Sequence, residues 1–126
     1  MKTINELVDT LTQHPLVVEI AYKYRNSIEL NGFILKKPKF FKHDIRKTES
    51  CSFLLYQITN QKGVVKLEIV ACMTYVKELV AQLKTIDKVV FVATVGKVRY
   101  SKQVHSDYDQ VLEMKTLYQL DLPLVE

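Results

Sequence analysis

Gly32 sits inside an alternating apolar segment, and that one residue limits what residues 26–40 (NSIELNGFILKKPKF) can build. Ile28, Leu30 and Ile34 recur with the period of a strand that buries one face. A glycine within such a strand marks a bulge or a sharp bend. Pro38 brings no N–H and is expected to stop the pairing. Six cations then crowd into residues 36–47: Lys36, Lys37, Lys39, Lys42, Arg46 and Lys47, with Phe40 and Phe41 among them. A bent first strand feeding a basic loop that also holds aromatic rings suits a small barrel that grips nucleic acid.

The charge is local. The 126 residues carry a formal +4. Asp44 is the only acid among residues 36–47, so that segment holds +5 and the remainder of the chain −1. A patch of this kind is the footprint of a polyanion; the plainer alternative is a solvated, lysine-rich loop. Apolar residues at 48% and charged residues at 25% fit one globular domain with its own core. No apolar run approaches the roughly 18 residues of a membrane span. The acidic Glu6 and Asp9, with no apolar run beside them, argue against a secretory signal. Cys51 and Cys72 lie far apart in apolar segments and read as buried free thiols. Such thiols suit a reducing compartment, which makes the cytoplasm the expected location.

Thr3-x-x-Glu6 forms a capping box ahead of Ile4, Leu7, Val8 and Leu11, which predicts a helix over 4–13. Residues 16–25 (LVVEIAYKYR) fit a strand and a helix alike, with Pro15 at a helix start and Glu19–Lys23 four apart tipping the balance to helix. Ser50–Thr59 alternates Cys51, Phe53 and Leu55 against Ser52, Leu54 and Tyr56. Residues 60–63 (NQKG) make a hairpin turn. Val64–Met73 follows as a strand with Val65, Leu67, Ile69 and Ala71 expected to face inward. A helix over 74–84 is predicted next, capped by Thr74, with Val76, Leu79, Val80 and Leu83 as its apolar stripe. Val89–Tyr100 is a β-branched strand bent at Gly96, residues 101–109 a polar loop, and Gln110–Leu120 the closing strand. Five strands with one helix between the third and fourth give a mainly β chain with the plan of an OB-fold. Residues 1–25 form an N-terminal helical arm and 26–126 the OB-fold domain. The arm should not be needed to close the barrel, yet Leu7, Val8, Leu11, Leu16, Ile20, Tyr22 and Tyr24 are too apolar for a free tail.

These segments carry a resemblance. Gly32-x-Ile34-x-x-x-Pro38 resembles the first strand of bacterial single-stranded DNA-binding proteins and of primosomal replication protein N. SCSFLLYQ is similar to their second strand, the helix over 74–84 stands where theirs does, and VVFVATVGKVRYSK and YDQVLEMKTLYQL are similar to their last two strands. The resemblance spans residues 26–120 and rests on five elements in order. The sequence has no tryptophan to stack on bases and no glycine-rich acidic tail, and residues 1–25 have no counterpart in that core family. The resemblance implies an accessory, single-stranded DNA-binding subunit of the kind primosomal replication protein N represents.

Single strands are held by cations along the backbone and by aromatic rings against bases. The residues expected to do so are Lys36, Lys37, Lys39, Phe40, Phe41, Lys42, Arg46 and Lys47, with Tyr56 on the outer face of the second strand. Lys97, Arg99, Tyr100 and Lys102 extend the set in the fourth strand, and Tyr108 between Asp107 and Asp109 is a further aromatic. Lys97 and Arg99, two apart, share a strand face unless a bulge intervenes. Phe53 and Phe91 read as core and Tyr75 as packing. His14, His43 and His105 are scattered, and nothing pairs a nucleophile with a base, so no catalysis, cofactor or metal is expected. The expected partners are single-stranded DNA, a replication protein (helicase, primase or polymerase) and further copies of the chain. Two other readings stay open: an interaction subunit with weak or shared DNA contact, and RNA binding by the same barrel.

Overall fold

The computed structural model describes residues 3–15, 17–19, 29–43, 48–99 and 107–125. Its elements are α1 (Ile4–Thr12), β1 (Glu29–Ile34), β2 (Lys39–His43), β3 (Thr48–Gln61), β4 (Val64–Thr74), α2 (Lys77–Lys84), β5 (Lys88–Arg99) and β6 (Asp107–Pro123). The Thr3 hydroxyl accepts the Glu6 N–H at 3.2 Å and starts α1 where the capping box predicts it. Residues 17–19 are helical too, in line with the helical reading of 16–25 as far as it falls on described residues. No helix among the described residues is long and apolar enough to cross a membrane.

The sheet runs β1-β5-β6-β4-β3-β2, and β1 also pairs with β3, which curls it toward a barrel. β1 lies antiparallel to β5 from Glu29↔Val95 to Ile34↔Val90, and Gly32 and Phe33 meet Gln57 and Tyr56 of β3 as well. Serving two neighbours at one point brings backbones close. A Cβ on Gly32 would stand 2.3 Å from the Tyr56 carbonyl oxygen, so only glycine fits. Among the described residues, β4 and β6 meet through the parallel pair Cys72↔Tyr108. The result is mainly β and OB-like.

The bend divides the expected first strand in two. β1 belongs to β5, and after residues 35–38 the chain resumes as β2 along β3, from Lys39↔Ser52 to His43↔Thr48. Among the described residues there are six strands where the sequence predicts five, and α2 falls between the fourth and fifth. Pro38 does not end the pairing: it is buried and immediately precedes β2. It can do so because proline is tolerated just ahead of a strand's first paired N–H. The expected basic loop is thus in part a five-residue edge strand. Its lysines also discourage pairing with a further chain.

Two apolar layers cover the sheet. Ile34, Cys51, Phe53, Leu55, Val70, Cys72, Val92 and Val111 form the inner one, closed at one end by Leu79, Val80 and Leu83 of α2. The second lies on the opposite face, where Leu7 and Leu11 of α1 and Val17 pack against Phe33, Tyr56, Ile58 and Phe91. The arm therefore packs on the barrel. This second layer inverts one expectation: on β4 it is Val70, Cys72 and Thr74 that point inward. Val65 and Leu67 pack on the arm side instead, while Ile69 is 56% exposed. Alternation identifies two faces but not which is inner when both carry apolar residues.

Thr74 is the last residue of β4. Its hydroxyl donates to the Val111 carbonyl at 2.9 Å and accepts the Val76 N–H at 3.1 Å, so α2 starts at Lys77, three residues later than expected. The hairpin turn is Lys62-Gly63, both at positive φ (52° and 79°), the two-residue type that matches strand twist. Register shifts in the β5–β6 pair flank Gly96. β6 begins at Asp107, inside the segment expected as loop. At its far end Leu122, Leu124 and Val125 pack on the second layer, and the Val125 N–H reaches the Leu35 carbonyl at 2.7 Å. Neither cysteine forms a disulfide and both are buried, and burial beside Glu49 pushes the Cys51 thiol up to about 12.

Two stability predictions follow from closure and layering. Gly32→Ala should cost at least about 3 kcal/mol in urea unfolding, because the clash is with backbone. Gly63→Ala, with open space around it, should cost only about 1–2 kcal/mol of left-handed strain. Leu11→Ala should cost about 2–5 kcal/mol, as for any closed core site. A cost under about 0.5 kcal/mol, the range of ordinary surface substitutions, would mean the arm is not a layer of the core.

Candidate nucleic-acid interface

β2 sorts its side chains by register. Phe40 lies opposite Cys51 and packs against the inner layer, with Lys42 on the same side opposite Glu49. Lys39, Phe41 and His43 lie opposite Ser52, Ser50 and Thr48 and so point to the outer face. Phe41 is 50% exposed. His43 Nε2 stands 3.2 Å from Ser50 Oγ, which orients the imidazole. One step beyond the Cys51↔Thr74 pair the chain leaves β4, and Tyr75 emerges beside this face, 48% exposed, its ring centroid 6.1 Å from that of His43.

Phe41, His43 and Tyr75 thus form an aromatic platform at the outer end of β2–β3–β4. The two outer rings are roughly 10 Å apart by strand spacing. Lys39 shares the outer face with Phe41, and Lys37, Lys42 and Lys77 are exposed at neighbouring positions along the chain. On the inner side Lys84 lies 5.6 Å from the Phe40 ring centroid and pairs with Glu49 at 2.6 Å. Flat rings with mobile cations around them hold a single strand by stacking and phosphate contact. Among the described residues no cluster of three or more His, Cys, Asp or Glu stands ready for a metal ion.

No protein-family model matches the chain. No curated protein matches it either. Among solved structures it is similar to a small single-stranded DNA-binding protein from Streptomyces coelicolor. The two share 12% identity with a TM-score of 0.55, over 74% of this chain and 95% of that one. At that identity the likeness is one of fold, and it agrees with the OB-like sheet order.

The structure groups only some of the expected site residues. Lys37, Lys39, Phe41 and Lys42 reach solvent at or beside the platform, while Lys36 is half-buried where its backbone bridges Val125. Phe40 anchors β2 rather than facing solvent. Lys97 and Arg99 lie in β5 opposite Gln110 and Asp107, with a register shift between Lys97 and Val98 that breaks the simple two-apart rule. Arg46, Lys47, Tyr100 and Lys102 lie outside the described residues. Tyr56 is on the outer face but only 3% exposed, under the arm, where its ring packs in the second layer. Sequence reasoning reads Tyr75 as packing and His43 as one of three scattered histidines, whereas Tyr75 is 48% exposed and its ring stands 6.1 Å from that of His43. Their signal is parity: odd-numbered residues of β2 and β4 share the outer face. Burial also raises the Tyr56 hydroxyl above its ordinary value. Nitration at about pH 8, well below the ordinary tyrosine range, should therefore modify Tyr75 and spare Tyr56. Equal labelling of the folded protein would contradict the covered face.

Proposed function

We propose that this chain is a single-stranded DNA-binding protein of OB-like fold, serving as an accessory factor in DNA replication or recombination, and that it binds without catalysing. The observation that carries the proposal is the outer-face platform: Phe41 and Tyr75 both exposed, the His43 ring 6.1 Å from that of Tyr75, and exposed lysines at neighbouring positions. Exposed rings of this size are costly to leave in water and are found where a partner covers them. The flanking cations name that partner as a polyanion, and stacking rings name it as one with unpaired bases. The fold likeness to a protein titled as a small single-stranded DNA-binding protein supports the same choice.

A second reading, a protein-interaction subunit of a primase, polymerase or helicase complex, is favoured by Ile69, Leu112 and Tyr118, large apolar side chains that are about half exposed.

Titration of labelled single-stranded DNA, RNA and duplex at two salt concentrations separates them. Single-stranded DNA should bind most tightly. Phe41→Ala and Tyr75→Ala should each weaken it about tenfold with the salt slope unchanged, since a stacked base contributes about 1–3 kcal/mol. Lys39→Ala and Lys42→Ala should each flatten the slope by about 0.7 for every phosphate no longer neutralised. Absence of single-strand binding at low salt would overturn the proposal and leave the interaction reading.

A further inference from the structure

A groove of about 410 Å³ runs along the rim where β3 begins and α2 closes the barrel, lined by Thr48, Glu49, Tyr75, Lys77, Val80, Ala81 and Lys84. Its size is that of a small-ligand cleft. It adjoins the platform, because Tyr75 belongs to both and Thr48 is the register partner of His43.

We propose that this groove is a separate nucleotide subsite, which takes the base next to the one stacked on Tyr75. This rests on the single-strand reading above and extends it from a flat platform to a path that turns over the barrel rim. Three observations fix the occupant. Val80, Ala81 and the Tyr75 ring give an apolar wall against which a base can lie. Lys77 and Lys84 against Glu49 leave the lining with one net positive charge, and Lys42, opposite Glu49 in register, adds a second at the edge. An anionic, flat-faced ligand matches this lining, and a nucleotide is one. Finally, Lys84 spans from α2 to Glu49 at 2.6 Å, so the ion pair ties one wall of the cleft to the other. Thr48 and Glu49 then offer a hydroxyl and a carboxylate to the polar edge of the base.

The subsite predicts a step in affinity with oligonucleotide length. Oligothymidylates from about 4 to about 16 nucleotides cover the range of single OB-fold site sizes. Ala81 is exposed on α2, so Ala81→Trp fills the groove without disturbing the core. The filled protein should bind the shortest oligomers as the wild type does, and bind those long enough to reach the rim about tenfold more weakly. Lys77→Ala should flatten the salt slope by about 0.7 for the long oligomers alone. Identical length dependence in wild type and Ala81→Trp would overturn the subsite while leaving the platform intact, and would leave the groove to a protein segment. Failure of the wild type to bind at any length would overturn both.

Discussion

Closure at Gly32 is the constraint on which the rest depends. β1 is held by β5 along its length and touched by β3 at Gly32 and Phe33, with no room for a side chain at the crossing. A strand shared in this way cannot run on in the same direction beside both neighbours. It leaves β5 after Ile34 and continues along β3 as β2. That transfer carries Lys39–His43 onto an outer surface where Phe41, His43 and Tyr75 come together. The platform is thus a by-product of how the sheet closes, and the same glycine governs stability and the placement of the site.

The second apolar layer explains why the platform is small. A small barrel has two faces for each strand, and here both are used. Leu7, Leu11 and Val17 cover one half of the outer face over Tyr56, Ile58 and Leu67. Toward β2, Phe41 and Tyr75 stay exposed among the described residues. Burial of large side chains under the arm stabilises by about 1.5–3 kcal/mol each. Covering the whole face would add more, so leaving Phe41 and Tyr75 in water has a cost that a ligand can recover. The Glu49–Lys84 ion pair is too exposed to add more than about 1 kcal/mol. Its value is positional, since it fixes α2 against the start of β3.

Much of this is legible in the sequence, and the failures share a cause. Element order, the bend at Gly32, the Lys62-Gly63 turn and the capping of α1 each depend on neighbours within a few residues. Their chemistry is printed locally. The inward face of β4, the burial of Tyr56 and the exposure of Tyr75 depend on what lies across the sheet. A strand with apolar residues at both parities gives no local indication of which set meets the barrel and which meets the arm. Lys39–His43 reads as loop because charge and Pro38 suggest solvent. Its alternation of Phe40 inward with Lys39, Phe41 and His43 outward carries the strand signal. Pairing with β3 decides the outcome.

Offering two exposed rings and a histidine as the stacking surface has a consequence for affinity. Stacking on two rings supplies roughly 2–6 kcal/mol before the cost of ordering the strand is met. The remainder has to come from lysines around the platform, and that contribution falls steeply with salt. On the proposed reading, a platform of this kind, taken with the described residues around it, would hold a single strand lightly and release it readily. Strong binding would require added contacts from another copy or from a partner already on the DNA, whose effective concentration raises the joint affinity. Light, salt-sensitive grip is a poor property for a protein that coats DNA alone. It would suit the accessory role proposed above.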